Sequence, residues 1–215
     1  MWRFTKQALV ADTPHPNYEE RRVSEETTPQ QRAAATKRKR TIAKTVEAAA
    51  LLFDTHGWHG VTLGDIAKEA GVSAATISVY FPTKRSVALG AYASELLSML
   101  ELVESEDDRE ALIGFVTELA DTTTAHPVLA IALLPATRDT PRASDEVHLT
   151  SEEVTLVDFD QLAELLGRLL ANYRGRNDDH TDVAELYLSG LLSWVLKHPD
   201  RTGEDAAQLV LRQLL

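Results

Sequence analysis

Apolar residues recur every three or four positions along most of this chain, and that spacing predicts α-helices. The clearest case runs from Thr41 through IAKTVEAAALLF to Gly57, a residue that suits a helix end. One side of this predicted helix carries Ile42, Val46, Ala49, Ala50 and Phe53. No segment keeps up the alternation of apolar and polar residues that a half-buried strand would show. The pattern therefore predicts an all-α protein of about nine helices.

Residues 61–85, VTLGDIAKEAGVSAATISVYFPTKR, predict two short helices joined by a tight turn. Thr62 and Asp65 have the spacing of a capping box at the start of the first helix. Gly71 suits the left-handed position that ends a helix, and Ser73 is a preferred N-cap for the next one. Pro82 limits the second helix to about two turns because it disfavours helical geometry at the residue before it. Two helices with a short glycine-containing turn predict a helix-turn-helix, whose second helix enters the major groove of DNA.

The remaining periodic segments are helical too. We expect one continuous helix from Thr83 to about residue 104, followed by a helical body. The predicted helices of the body span 111–124, 128–135, 156–173, 182–197 and 204–215, with a polar loop at 136–151. The chain thus divides into a flexible N-terminal arm at 1–36, a helix-turn-helix domain at 37–85 and a body at 86–215.

The charge of the chain, −11 in total, is divided unequally along its length. Residues 31–85 carry nine Lys or Arg against four Asp or Glu, whereas residues 91–215 carry nine against twenty-four. This asymmetry is typical of a basic phosphate-binding module attached to an acidic body. The chain has no cysteine, which excludes disulfides and thiolate sites. No stretch approaches the roughly 18 apolar residues of a membrane span, and no signal peptide is evident, so we expect no membrane partner and a cytoplasmic protein.

A run of four cations, Lys37, Arg38, Lys39 and Arg40, directly follows the predicted arm. On its own such a run is usually a solvated helix start. Beside a helix-turn-helix we interpret it as a contact to DNA phosphates or to the minor groove.

The stretch from Ala48 to Leu89 resembles the tetracycline-repressor (TetR) family of bacterial regulators. The motifs that carry the resemblance are AAALLFDTHG at the end of the first helix, TLGDIAKEAGVS in the helix-turn-helix, and YFPTK before the fourth helix. The resemblance implies a DNA-binding head of three helices and a helical body for ligand binding and dimerisation. It further implies phosphate contacts from Thr62, Tyr80 and Lys84.

The residues of the second helix, the recognition helix, offer little direct base reading. Its side chains away from the core include no Arg, Asn or Gln, the usual readers of guanine and adenine, but their methyl groups suit thymine. Ala75 and Ser78 stand where the family often has glycine and tyrosine, so the base contacts cannot be copied from a relative. DNA shape and the basic run would then supply part of the specificity. The predicted DNA-binding residues are Lys37, Arg38, Lys39, Arg40, Thr62, Ser73, Ala74, Ala75, Thr76, Ser78, Val79, Tyr80, Thr83 and Lys84.

The two final helices carry broad apolar stripes, which the resemblance relates to a four-helix homodimer interface. A dimer suits a palindromic operator because each head reads one half-site. The predicted interface comprises Val183, Tyr187, Gly190, Leu191, Trp194, Leu209 and Leu211. A small-molecule effector, apolar or aromatic, would bind in the body. Its predicted pocket is lined by Met99, Phe115, Leu119, Leu134, Phe159, Leu162 and Trp194, although the same residues would look alike in a plain core.

Other chemistry finds little support in the sequence. His56 and His59 are three residues apart but have no third ligand nearby, so we expect no metal site. Nothing resembles a phosphate loop, a dinucleotide fingerprint or a nucleophile elbow, and we expect neither an enzyme nor a cofactor. The sequence therefore predicts a ligand-responsive, DNA-binding transcriptional repressor. Two alternatives stay open: a transcriptional activator, and a helical interaction module whose head docks a protein partner.

Overall fold

The computed structural model describes residues 28–101, 107–134, 156–175 and 180–215. Within these ranges the chain forms ten α-helices and no strand, so the all-α prediction is confirmed. The helices are α1 (Pro29–His56), α2 (Leu63–Ala70), α3 (Ala74–Tyr80), α4 (Lys84–Ala91), α5 (Ala93–Glu101), α6 (Asp108–Ala125), α7 (Pro127–Leu133), α8 (Phe159–Arg174), α9 (Thr181–Lys197) and α10 (Gly203–Leu214). The predicted loop at 136–151 lies outside the described residues.

The first helix begins twelve residues earlier than predicted, at Pro29 instead of Thr41. The Thr28 hydroxyl accepts the N–H of Gln31, and the Gln31 side chain accepts the N–H of Thr28, which closes a capping box. A proline at the first helical position and three consecutive alanines favour the same extension. The arm boundary at residue 36 is therefore wrong, because residues 29–36 are helical. Residues 1–27 lie outside the described part of the chain.

The predicted fourth helix is divided into α4 and α5 at Tyr92. The backbone of Tyr92 leaves helical geometry, with φ −113° and ψ 23°. Its side chain is buried and its hydroxyl donates to Asp54 Oδ1 of α1 at 2.9 Å. We attribute the break to this anchor, since the helix turns aside where Tyr92 reaches back to the head. The break accounts for the tenth helix.

Helices α1 to α4 form the head, around a core to which α1 contributes Phe53, α2 contributes Ile66 and α3 contributes Ile77, with Phe81 just beyond α3. The body packs α6 against α10 and α8 against α9, while α7 lies between α4 and α9. Head and body are also joined by Arg85, whose guanidinium donates to the carbonyl of Leu134. None of the described helices is long and apolar enough to cross a membrane.

Candidate nucleic-acid interface

The start of α2 is fixed by an exchange of hydrogen bonds between Thr62 and Asp65. The Thr62 hydroxyl accepts the Asp65 N–H at 3.2 Å, and Asp65 Oδ2 accepts the N–H and O–H of Thr62 at 2.9 and 2.6 Å. These bonds, the hydroxyl first, hold the pKa of Asp65 below its ordinary value. The predicted capping box is present. Thr62 is exposed and can therefore contact a phosphate. The hydrogen bonds of the cap fix the position from which it would do so.

The turn between α2 and α3 has the left-handed conformation that its glycine permits, with φ 67° at Gly71. Ser73 then caps α3: its hydroxyl accepts the N–H of Thr76 at 3.0 Å and lies 2.7 Å from the Thr76 hydroxyl. Ile77 and Phe81 are fully buried. Because these two side chains are buried in the core of the head, the opposite face of α3 is turned to solvent.

The solvent face of α3 is made of small side chains. Val79 is 75% exposed, a high value for an apolar residue. The Ser78 hydroxyl donates to the carbonyl of Ala74 at 3.1 Å and is thereby satisfied within the helix. The structure places Ala74, Ala75, Ser78 and Val79 on the exposed surface, with Thr76 and Tyr80 half-buried beside them. The face therefore presents methyl groups, as the sequence predicted.

Thr83 and Lys84 lie at the start of α4. Thr83 is the N-cap of this helix, whereas the Lys84 side chain contacts Trp58. Thr83 and Ser86 exchange backbone-to-hydroxyl bonds of 3.0 and 3.1 Å. The Lys84 ammonium donates to the carbonyl of Trp58 and lies 4.4 Å from the centroid of the Trp58 ring. Partial burial lowers the pKa of Lys84. This contact was missed, since nothing in the sequence links residues 26 positions apart.

The four cations of the basic run are exposed on α1. Successive residues of a helix point about 100° apart, so Lys37, Arg38, Lys39 and Arg40 are spread around the helix. With Arg32 they make a cationic surface, and the chain has no Asp or Glu between Thr28 and Val46. This surface, residues 32–40, is called the basic extension below.

The residues predicted to line an effector pocket belong to the core of the body. Met99, Phe115, Leu119 and Leu162 are almost completely buried and Phe159 is nearly so, while Leu134 and Trp194 pack against the same core at partial burial. The Trp194 ring stacks on His198, with centroids 4.6 Å apart. This arrangement is compatible with a pocket wall and with plain packing alike, so the pocket stays a prediction.

The predicted dimer interface needs one correction. Leu191 is only 3% exposed in the single subunit and belongs to its core, because the face of α9 that it occupies is covered by the rest of the body. Val183, Gly190 and Leu209 are exposed, and Tyr187, Trp194 and Leu211 are half-buried. Leu186, which the predicted interface omitted, is 73% exposed. An exposed apolar surface is therefore present on α9 and α10, but on α9 it includes Leu186 and not Leu191.

Metal binding finds no support in the described part of the chain, where no group of three or more His, Asp or Glu residues is placed to hold an ion. His56 and His59 are exposed near the end of α1.

Comparison with known proteins identifies a matching family model and similar transcriptional regulators. Residues 46–91 match the family model described as bacterial regulatory proteins, tetR family, so the resemblance to that family is confirmed. The chain is 35% identical over 82 residues to uncharacterised HTH-type transcriptional regulators of Mycobacterium bovis and of Mycobacterium tuberculosis. The match covers 38% of this chain and spans 43% of the length of each of these relatives.

Two solved structures share the fold over most of the chain. One is Thermus thermophilus FadR, a TetR family transcriptional repressor in complex with lauroyl-CoA: it is 22% identical, the alignment covers 80% of this chain and 92% of that one, and the TM-score is 0.59. The other is the fatty acid degradation regulator FadR of Bacillus halodurans, also 22% identical, with coverage of 80% and 96% and a TM-score of 0.55. At this identity the likeness establishes the fold.

Proposed function

We propose that this chain, whose residues 46–91 match the model of the tetR family of bacterial regulatory proteins, is a ligand-responsive transcriptional repressor of that family. It binds a palindromic DNA operator as a homodimer. The observation that carries the proposal is the recognition helix α3, held from behind by buried Ile77 and Phe81 while Val79 stands 75% exposed. An apolar side chain this exposed on a helix-turn-helix is well suited to the thymine methyl groups of the major groove.

Phosphate contacts position α3 in the groove. Thr62, Ser73 and Thr83 are the N-caps of α2, α3 and α4, and each helix start adds its own dipole to the attraction for phosphate. Tyr80 contributes its hydroxyl. Lys84 reaches phosphate when its ammonium leaves Trp58, which costs a partly solvated hydrogen bond to the Trp58 carbonyl and the contact with the Trp58 ring. The basic extension adds charge further along the duplex, which strengthens binding through the release of counterions.

The effector binds in the body and changes the operator affinity by preferring one arrangement of the two heads. An apolar or aromatic molecule suits the side chains of the predicted pocket, which carry no formal charge. The FadR proteins of Thermus thermophilus and Bacillus subtilis bind lauroyl-CoA and stearoyl-CoA, respectively. Long-chain acyl-CoA thioesters are therefore the first effectors to test, followed by aromatic compounds.

The decisive experiment compares two single variants, each of which replaces one exposed apolar residue of the head with glutamate. The operator is first isolated by selecting bound fragments from genomic DNA. Val79→Glu places a carboxylate on the recognition helix and should reduce operator affinity by about 100-fold, since like charges at close range cost several kcal/mol. Leu51→Glu is the matched control, because Leu51 is 58% exposed on α1, outside the recognition helix. It adds the same charge and should reduce affinity by less than about fivefold.

Both variants should melt within a few degrees of the wild type, because both positions are exposed. Equal affinity of Val79→Glu and wild type for the selected operator would contradict the assignment of α3. A wild-type protein that selects no DNA fragment would leave the protein-interaction module as the better interpretation. A reporter gene placed behind the operator separates a repressor from an activator. Deletion of a repressor raises expression of the reporter, whereas deletion of an activator lowers it.

A further inference from the structure

A cleft of about 440 Å³ opens between the head and the body. Its head side is formed by the end of α1 and the turn after it, including Phe53, Asp54 and Trp58. Its body side is formed by the junction of α6 and α7, including His126, Val128 and Ile131. A cleft of this volume accommodates a small molecule, because ligand pockets in proteins begin at about 300 Å³. None of these residues belongs to the predicted effector pocket.

The walls of the cleft are largely apolar and are held in place by their own packing. Phe53 and Trp58 stack with ring centroids 5.9 Å apart and planes 15° from parallel. Lys84 already lies over the Trp58 ring, which leaves the rest of the indole and the side chains of Val128 and Ile131 to contact a ligand. A flat apolar group is the natural complement of such a wall.

A single carboxylate, Asp54, supplies formal charge to the lining. Its Oδ1 atom accepts the Tyr92 hydroxyl at 2.9 Å and lies 3.1 Å from Nδ1 of His126. The rings of Tyr92 and His126 are in contact, with centroids 4.7 Å apart. Both bonds involve the same oxygen, and the Asp54 side chain remains 50% exposed. Oδ2 of Asp54 is consequently available to a donor that enters the cleft.

We propose that this junction cleft is a ligand site of its own, and that it takes a small aromatic cation. The ring of the ligand packs against Trp58, Val128 and Ile131, while its protonated amine donates to Oδ2 of Asp54. The bonds from Tyr92 and His126 fix the carboxylate before the ligand arrives, so little entropy is lost on binding. An anion is disfavoured at Asp54 because that carboxylate is itself negative, while the nearby Lys84 ammonium already donates to the carbonyl of Trp58.

A ligand in this cleft touches two junctions of the fold directly and a third through the hydrogen bond from Tyr92 to Asp54. Asp54 lies near the end of α1, Tyr92 at the break between α4 and α5, and His126 at the break between α6 and α7. A molecule that bridges α1 and α7 restrains the head against the body. The cleft is formed by this chain alone, so it can be tested on the protein without DNA.

The test uses three naphthalene probes that differ in charge: 2-naphthylmethylamine, 2-naphthylmethanol and 2-naphthoate. Binding to the full chain is measured by isothermal titration calorimetry and by ligand-detected NMR. The amine should bind at least tenfold more tightly than the alcohol, and the naphthoate should bind most weakly. Asp54→Asn should weaken the amine about tenfold without affecting the alcohol, because it removes the charge but keeps an oxygen for Tyr92. Glu47→Gln, which removes an exposed carboxylate from the same helix, is the matched control and should leave all three affinities unchanged.

A second variant guards against a folding defect in Asp54→Asn. Ile131→Trp fills the cleft from α7 while keeping Asp54, and it should abolish binding of the amine and the alcohol alike. The proposal is overturned if the amine does not bind at millimolar concentration, if the three probes bind equally, or if both cleft variants bind the amine like the wild type. None of these experiments measures operator binding. The proposed regulatory function is therefore judged separately, by the operator affinity of Val79→Glu.

Discussion

Thr62 and Asp65 hold the first turn of α2 through side chains that bond to each other's backbone. The pKa of Asp65 lies below its ordinary value of 3.8, first because of the Thr62 hydroxyl and then because of the Thr62 N–H. A carboxylate whose pKa is lowered in the folded state adds stability above its unfolded pKa, and that stability is lost as the pH falls through the folded value. We therefore expect Asp65→Asn to lower the melting temperature at neutral pH, and the difference from wild type to shrink below pH 3.8.

Thermal melts followed by circular dichroism at about pH 7 and about pH 3 measure this change. Glu69→Gln is the control, because it removes an exposed carboxylate from the same helix without touching the cap. A difference between Asp65→Asn and wild type that is the same at both pH values would show that the carboxylate charge contributes nothing to the cap.

Single residues also show where prediction from sequence succeeds and where it fails. The caps at Thr62 and Ser73 were predictable because each bond closes within three residues along the chain. The contact of Lys84 with Trp58 was not, since only the tertiary fold brings the ammonium to that ring. Leu191 was assigned to the surface for a related reason: periodicity shows that a helix face is apolar but not whether the same subunit covers it.

At the scale of elements, α1 is the clearest departure from the sequence prediction. Prolines and polar residues indicated an arm, but the Thr28 capping box and three alanines extend the helix to Pro29. Residues 29–41 project about 20 Å at 1.5 Å per residue, and most of them are exposed. The cations of the basic extension are thus carried on a helix, which fixes their positions far better than a coil would.

Two truncations test the basic extension. Removal of residues 1–27 keeps the Thr28 cap and every described cation of α1, and we expect operator affinity close to that of the full chain. Removal of residues 1–40 should leave a folded protein, since these residues add little to the core, but should lower operator affinity. The slope of log K against log salt should fall by about one to three, because each phosphate contact contributes about 0.9 and cations spread around a helix cannot all reach the duplex.

A full-length variant with Lys37, Arg38, Lys39 and Arg40 all replaced by glutamine is the control for chain length. It should reproduce the loss seen with the longer truncation. If all four proteins bind the operator with the same affinity and salt slope at moderate salt, the basic extension is a solvated surface with no role on DNA.

At the scale of the whole molecule, the uneven charge and the uncovered apolar surface fit two different partners, DNA and a second copy of the chain. In the proposed complex the cations of the head face DNA, and the acidic body disfavours approach of its own surface to phosphate. On the body, Val183 and Leu186 of α9 lie exposed, as does Leu209 of α10. A Cβ at Gly190 would meet open space, so another helix can come close there. A second copy of the chain is the partner that a two-half-site operator requires.

The dimer is tested by two leucines of α9 that differ in burial. Leu186→Glu adds a charge at a position 73% exposed in the subunit, so the subunit should still fold, whereas the dimer must bury that carboxylate and should dissociate at a cost of several kcal/mol. Leu191→Glu should instead unfold the subunit, because Leu191 is 3% exposed. Sedimentation velocity at micromolar concentration and circular dichroism separate the two effects. Operator affinity should drop with Leu186→Glu, since a lone head reads one half-site. A wild-type monomer, or a Leu186→Glu variant as dimeric as wild type, would place the interface elsewhere and return the apolar surface of α9 and α10 to an unassigned role.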